Sequence, residues 1–312
     1  MEKPQDNAAL VGGVGVAVFA YGLATLSAAL WGSNAVVGRS AVSDIPPLAM
    51  TFWRMVVVVL TLLPFSSREL WRSRAAIQVH WLGLLGLAVF GPVAFNLLMY
   101  HGLATSLAIN ASLFNSATPV AIVLAAWLIM RERVSARVVI GMLLAFAGVV
   151  IIVVRGSFEV LLAFDIRVGD PLIITGMASW AVYSVYLRRR RDGLSDAAFL
   201  TVIMATGVVA IAPFYAASGD RFALSGKNLF VILFSGAVIS VIANLCWIKS
   251  IGLIGPSRAG QFHNLIPVFG ASLAVMFLGE VLHAYHAAGF AAILLGVYLA
   301  TRAGARIKAP VR

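Results

Sequence analysis

The 312 residues contain one cysteine, Cys246, so the chain forms no internal disulfide and is not a stapled secreted scaffold. Charge is scarce as well: Asp, Glu, Lys and Arg make up 11% of the residues, against roughly 25% in a soluble domain. Only 12 acids are present, and none stands near the middle of a long apolar run. These shortages exclude a cytosolic globular enzyme, which needs a polar skin. What is abundant is apolar, at 61% of the chain and a mean hydropathy of +0.97. Such a chain has lipid as its second solvent. The net charge of +11 therefore reads as loop charge, and no nucleic-acid partner is expected.

A bilayer core about 30 Å thick takes about 20 helical residues to cross. Ten apolar runs of that length are predicted, at 16–38, 46–65, 78–101, 106–130, 135–155, 170–187, 197–217, 228–251, 256–278 and 283–303. The apolar stretch after Val14 is too long for a signal peptide, and Glu2 and Asp6 offset Lys3, so the first run is read as an uncleaved helix. With the N-terminus inside, 17 of the 23 Lys and Arg face the cytoplasm and five face outward: Arg39, Arg155, Arg167, Arg221 and Lys227. Arg54 alone stays within a helix. The excess places both termini in the cytoplasm and makes the run Arg188 to Arg191 a topology anchor.

The chain also repeats itself. A shift of 148 positions lays Asn96 on Asn244, Phe114 on Phe262, Pro119 on Pro267, Glu132 on Glu280, Gly141 on Gly289 and Gly148 on Gly296; a shift of 149 lays Trp31 on Trp180. Five helices per copy is an odd number, so the second copy enters the membrane from the opposite side. The expected fold is all-α and integral to the membrane, with two inverted five-helix repeats at 16–155 and 170–303. A cytoplasmic segment 1–15, an external connection 156–169 and a basic tail 304–312 complete the division.

Several motifs carry a resemblance. Leu30-Trp31-Gly32-Ser33-Asn34 is followed by Arg39; Phe52-Trp53-Arg54 stands in the second helix; the fourth and ninth helices hold prolines and end near Glu132 and Gly279-Glu280. The chain resembles the drug/metabolite transporter superfamily, in its ten-helix branch with two EamA-type repeats, and within it bacterial exporters of aromatic and other amino acids. One departure is Arg131, where that family often has glycine as at Gly279. The resemblance implies a multi-pass protein of the bacterial inner membrane that exports neutral or hydrophobic amino acids by alternating access. Efflux of other small metabolites or hydrophobic drugs is the alternative.

Polar side chains in hydrocarbon mark a pathway, because each needs a partner or water. Ser27, Trp31 and Asn34 share a stripe, as do Asn96 and Tyr100, and Ser112, Asn115, Ser116 and Pro119. The second copy answers with Trp180 and Tyr183, with Ser240, Asn244 and Trp247, and with His263, Asn264 and Pro267. The expected substrate wall is thus Trp31, Asn34, Asn96, Tyr100, Asn115, Trp180, Tyr183, Asn244, Trp247 and His263, with mid-helix kinks serving as hinges at Pro119 and Pro267. Arg54 is read as either a carboxylate ligand or a structural cap. No intramembrane catalytic set is present, and the pair His283 and His286 lacks a third ligand, so no enzyme activity, cofactor or metal is expected. Paired proline kinks in an inverted repeat argue for a carrier over a channel. With no acid at the midplane, transport is expected to run down the amino-acid gradient, His263 being the one intramembrane titrating group. The partners expected are an amino-acid substrate and membrane lipid, with the monomer as working unit and a dimer left open.

Overall fold

The structure is a computed structural model that describes residues 4–41, 45–132, 134–162, 165–190 and 192–302. It is 86% helical, and no strand occurs among the described residues. Long apolar sequence in lipid must satisfy every backbone polar group internally, which a helix does within one segment.

The principal helices are α1 (Pro4–Ala41), α2 (Pro47–Arg72), α3 (Trp81–Thr105), α4 (Ile109–Met130), α5 (Ala136–Val153), α6 (Asp170–Arg188), α7 (Asp196–Ser218), α8 (Gly226–Ile254), α9 (Pro256–Leu278) and α10 (Ala284–Arg302). Among the described residues nine are long and apolar enough to cross a membrane; α6 is not one of them. The reason is its company. Asp170, Ser179, Trp180, Tyr183 and Ser184 lower its hydropathy, yet all five are buried against protein. A helix enclosed by other helices can carry polarity that a lipid-facing one cannot.

Packing is exchanged between the halves. α1 packs on α8 and α9, while α6 packs on α3 and α4; α2 lies against α7, and α5 against α10. Ser27 on α1 donates to the Ala243 carbonyl on α8 at 2.9 Å, and Ser179 on α6 to the Phe90 carbonyl on α3 at 2.6 Å. Ser135, Ser195 and Ser225 cap α5, α7 and α8 by accepting from the backbone three residues on.

α5 and α10 pack backbone to backbone. A Cβ on Gly148 would stand 2.6 Å from the Gly289 carbonyl oxygen and 2.9 Å from Ala292 Cβ, so the two backbones touch where no side chain fits. Gly148→Leu is expected to destabilise by about 1–3 kcal/mol as an overpacked substitution. Thermal unfolding of the purified protein in detergent checks it; an unchanged midpoint would contradict the packing.

Four helices are irregular, in matching places. α3 contains a π-helical stretch at Val89–Val93 and α8 one at Phe234–Ser240. α4 is interrupted between Ala108–Ser116 and Thr118–Met130, and α9 passes through a 3-10 turn, Gln261–Leu265, before Ile266–Leu278. This corrects the expected mid-helix kinks at Pro119 and Pro267. Both prolines occupy the first turn of a new helical segment, where a missing N–H removes no bond.

The structure shows what the departure at Arg131 costs. Arg131 ends α4 with φ 54° and Gly279 ends α9 with φ 69°. Glycine takes this left-handed position freely, whereas a side chain there costs roughly 1–2 kcal/mol. The connection 156–169 is not all loop, since Phe158–Leu162 is helical.

Candidate functional site

Between α1, α2, α3, α4, α6, α7, α8 and α9 lies a cavity of about 290 Å³. Its wall includes Trp31, Asn34, Asn96, Asn115, Trp180, Tyr183, Asn244 and His263, eight of the ten residues expected from sequence. The side chain of Tyr100 lies outside the described residues. Trp247 is corrected: it does not line the cavity but stands behind it, 1% exposed. Its ring packs 5.5 Å from Trp31 and 4.5 Å from His263, so it supports the wall.

The aromatic part is continuous. Trp31 meets Trp180 edge-on at 5.7 Å and His263 at 5.0 Å; Trp180 meets Phe95 at 5.2 Å and Tyr183 at 5.0 Å. α1, α3 and α6 come from distant parts of the chain, and only their exchanged packing brings these rings together. The indole N–H groups of Trp180 and Trp247 are buried without a partner among the described residues. An unmade buried donor is costly, by about 1–3 kcal/mol, and the one on Trp180 belongs to the cavity wall.

The two asparagines of the repeat do the same thing. Asn96 donates to the Pro92 carbonyl at 2.6 Å and Asn244 to the Ser240 carbonyl at 2.7 Å, each four residues back at its π-helical stretch. Each amide nitrogen is thus engaged with its own helix, while both side chains still line the cavity.

Sequence reasoning left Arg54 undecided, and the structure places it in the cavity wall. It is half-buried and makes no hydrogen bond or ion pair among the described residues. Phe95, Met99 and Met204 also line the space and were not expected. No sequence signal separates them from other apolar helix residues.

Ties between helix ends gather at the end of the bundle that bears Arg188. There the Arg188 guanidinium donates to the Ile251 carbonyl at 3.1 Å and to the Gly252 carbonyl, Arg189 to the Ile129 carbonyl at 3.0 Å, and Ser257 to a Glu132 carboxylate oxygen at 3.0 Å. Arg190 pairs with Asp192 at 3.3 Å and Asp196 at 3.0 Å. The basic run is therefore also a set of ties between helix ends. At the opposite end Asp170 accepts from Ser106, from Asn110 at 2.9 Å and from the Arg167 N–H at 2.8 Å, joining the starts of α4 and α6.

A multi-pass bundle enclosing a polar, aromatic-walled space among its helices is the architecture of a membrane transporter rather than of an enzyme. The chain belongs to the EamA-like transporter family, of the drug/metabolite transporter superfamily, which it matches over residues 18–154 and again over 167–302. It is 28% identical over 280 residues to YyaM, an uncharacterized transporter of Bacillus subtilis (strain 168), covering 86% of this chain and 89% of that one. A probable amino-acid metabolite efflux pump of Escherichia coli (strain K12) is 23% identical over 296 residues, covering 89% and 93%. A crystal structure of a protein with 19% identity shares the fold at a TM-score of 0.77, covering 91% and 97% of the two chains.

Proposed function

We propose that this protein exports amino acids, aromatic and other neutral or hydrophobic ones, across the bacterial inner membrane by alternating access. The observation that carries the reading is a cavity whose lining brings together the Arg54 guanidinium, without a partner among the described residues, and a cluster of aromatic rings. A zwitterion with a bulky side chain answers both: its carboxylate takes the guanidinium, and its side chain and ammonium take the rings. Two relatives, of Salmonella typhimurium (strain LT2) and Escherichia coli (strain K12), carry the name probable amino-acid metabolite efflux pump, which supports the class of substrate.

The two copies at 16–155 and 170–303 are read as inverted, with ten spans and both termini in the cytoplasm. The exchanged packing, in which each copy's first helix lies on the third and fourth of the other, is what a two-fold axis in the membrane plane would produce. On this reading the ties around Arg188 close the cytoplasmic side and the cavity faces outward. The breaks before Pro119 and Pro267 are the hinges about which the copies exchange roles.

Purified protein in liposomes preloaded with unlabelled phenylalanine is expected to take up labelled phenylalanine by counterflow, with saturation and with competition by other neutral amino acids. Non-saturating flux, or no counterflow with any neutral amino acid, would overturn the reading.

A further inference from the structure

Two asparagines at equivalent places in the sequence repeat, Asn96 on α3 and Asn244 on α8, line the cavity with their amides fixed in the same sense. Each meets a backbone carbonyl four residues back, that of Pro92 at 2.6 Å and that of Ser240 at 2.7 Å. A carbonyl accepts only from the NH2 end of an amide, so that end is turned to the helix and Oδ1 is turned away from it. Neither oxygen accepts a hydrogen bond among the described residues, and neither belongs to the polar atoms buried without a partner. Each therefore keeps accessible surface, which for a side chain in this wall opens on the cavity.

The bond to the helix does not by itself call for an amide. Thr61 and Thr201 make it with a hydroxyl, to the Val57 and Ala197 carbonyls at 2.8 Å each. What asparagine adds is an oxygen farther from the backbone that accepts and never donates. Pro92 and Ser240 lie in the two π-helical stretches, so the same local irregularity anchors both amides.

Among the described residues no Asp or Glu lines this cavity, and Arg54 does. A cation entering it meets one like charge and no carboxylate, whereas a zwitterion is neutral and brings its own carboxylate for Arg54. Its ammonium carries three N–H donors and needs acceptors. The rings attract a cation through their faces, whatever the direction of its N–H bonds. Amide oxygens direct those bonds. The other two amides of the wall are less suited: Asn34 has no partner among the described residues to fix its orientation, and the Asn115 oxygen already faces the Thr118 hydroxyl at 3.4 Å.

We propose that Asn96 Oδ1 and Asn244 Oδ1 bind the ammonium of the cargo by accepting its N–H bonds, one oxygen from each copy of the repeat, and that the site thereby selects primary ammonium zwitterions and rejects quaternary ammonium compounds. A trimethylammonium group carries the same charge and satisfies the rings. It has no N–H to give, so the two oxygens lose their water without replacement. The assignment rests on the export reading for the identity of the cargo, and it goes beyond that reading by excluding quaternary cations from the alternative of drug efflux.

The test uses full-length protein in liposomes and measures competition with labelled phenylalanine counterflow by phenylalanine and by its N,N,N-trimethyl derivative. A preference of about a hundredfold for the primary form is expected, about tenfold for each oxygen, as for a hydrogen bond to a charged group. Asn96→Leu and Asn244→Leu are each expected to cut it to about tenfold. Asn96→Thr and Asn244→Thr, which keep a bond to the helix as Thr61 does, are expected to cut it equally. The preference is a ratio measured on one variant, so a change in the amount of folded protein does not move it. A preference that came from the bulk of the methyl groups would survive all four substitutions. Independently of any amino acid, purified protein in detergent is expected to bind 2-phenylethylamine more tightly than its N,N,N-trimethyl form, read as quenching of tryptophan fluorescence, with the same losses in the variants. Equal binding of the primary and trimethyl forms by the wild type, or variants that retain its preference, would overturn the assignment. Absence of counterflow in the wild type together with an amine preference that the variants lose would instead defeat the export reading alone.

Discussion

Arg54→Gln is expected to raise the half-saturating concentration for neutral amino acids by roughly tenfold to a hundredfold, because a hydrogen bond to a charged group is worth about 1.5–3 kcal/mol. The guanidinium lines the cavity, is half-buried, and has no partner among the described residues. A positive charge at a helix centre costs about 2.5–3.5 kcal/mol on insertion scales, and no described residue pairs with it here. On the export reading a substrate carboxylate supplies the partner. The discriminating measurement is competition by an amino acid and by the corresponding amine, which lacks the carboxylate. If Arg54→Gln weakens both equally, the residue serves the helix and not the cargo.

Trp247→Ala is expected to destabilise the protein by about 3–5 kcal/mol, the range for deleting a large buried aromatic, while Trp247→Phe costs far less. The ring is 1% exposed and packs on Trp31, Trp180 and His263. Sequence reasoning set it in the cavity wall, where truncation would change selectivity and spare the fold. Thermal unfolding of the two variants in detergent decides between these positions: an unchanged midpoint for Trp247→Ala would restore it to the wall. The same reasoning applies to Tyr183, 1% exposed, and to Trp180, 8% exposed. Alanine at either opens a void as well as altering the cavity, so Trp180→Phe and Tyr183→Phe are the variants that read selectivity.

Much of the site was legible because polar residues are rare in these helices. Asn96, Asn115, Asn244 and His263 stand out against apolar neighbours, and spacing within single helices sets Asn34 on one stripe with Trp31 and Asn244 on one with Trp247. The apolar lining was not legible. Met99 and Met204 look like every other lipid-facing or core methionine until the helices are assembled. The prolines were visible but their effect was not, since proline marks a kink or a helix start depending on whether the preceding residues remain helical. Here Ala117 and the Gln261–Leu265 turn break the helix first.

The sequence by itself determined the class of this protein: apolar run length, the scarcity of charge and the duplicated motifs are properties of the chain in order, and lipid accepts such segments only as helices. It also determined which residues are polar enough to demand partners. Tertiary structure decided which demands are met. Ser27 bonds across to α8, the amide of Asn96 turns back on its own helix, Arg54 and Asn264 are left without partners among the described residues, and Trp247 passes behind the wall that Trp31 forms. Those outcomes depend on helices far apart in the chain meeting at particular faces, and no spacing within one helix encodes what the neighbouring helix will present to it.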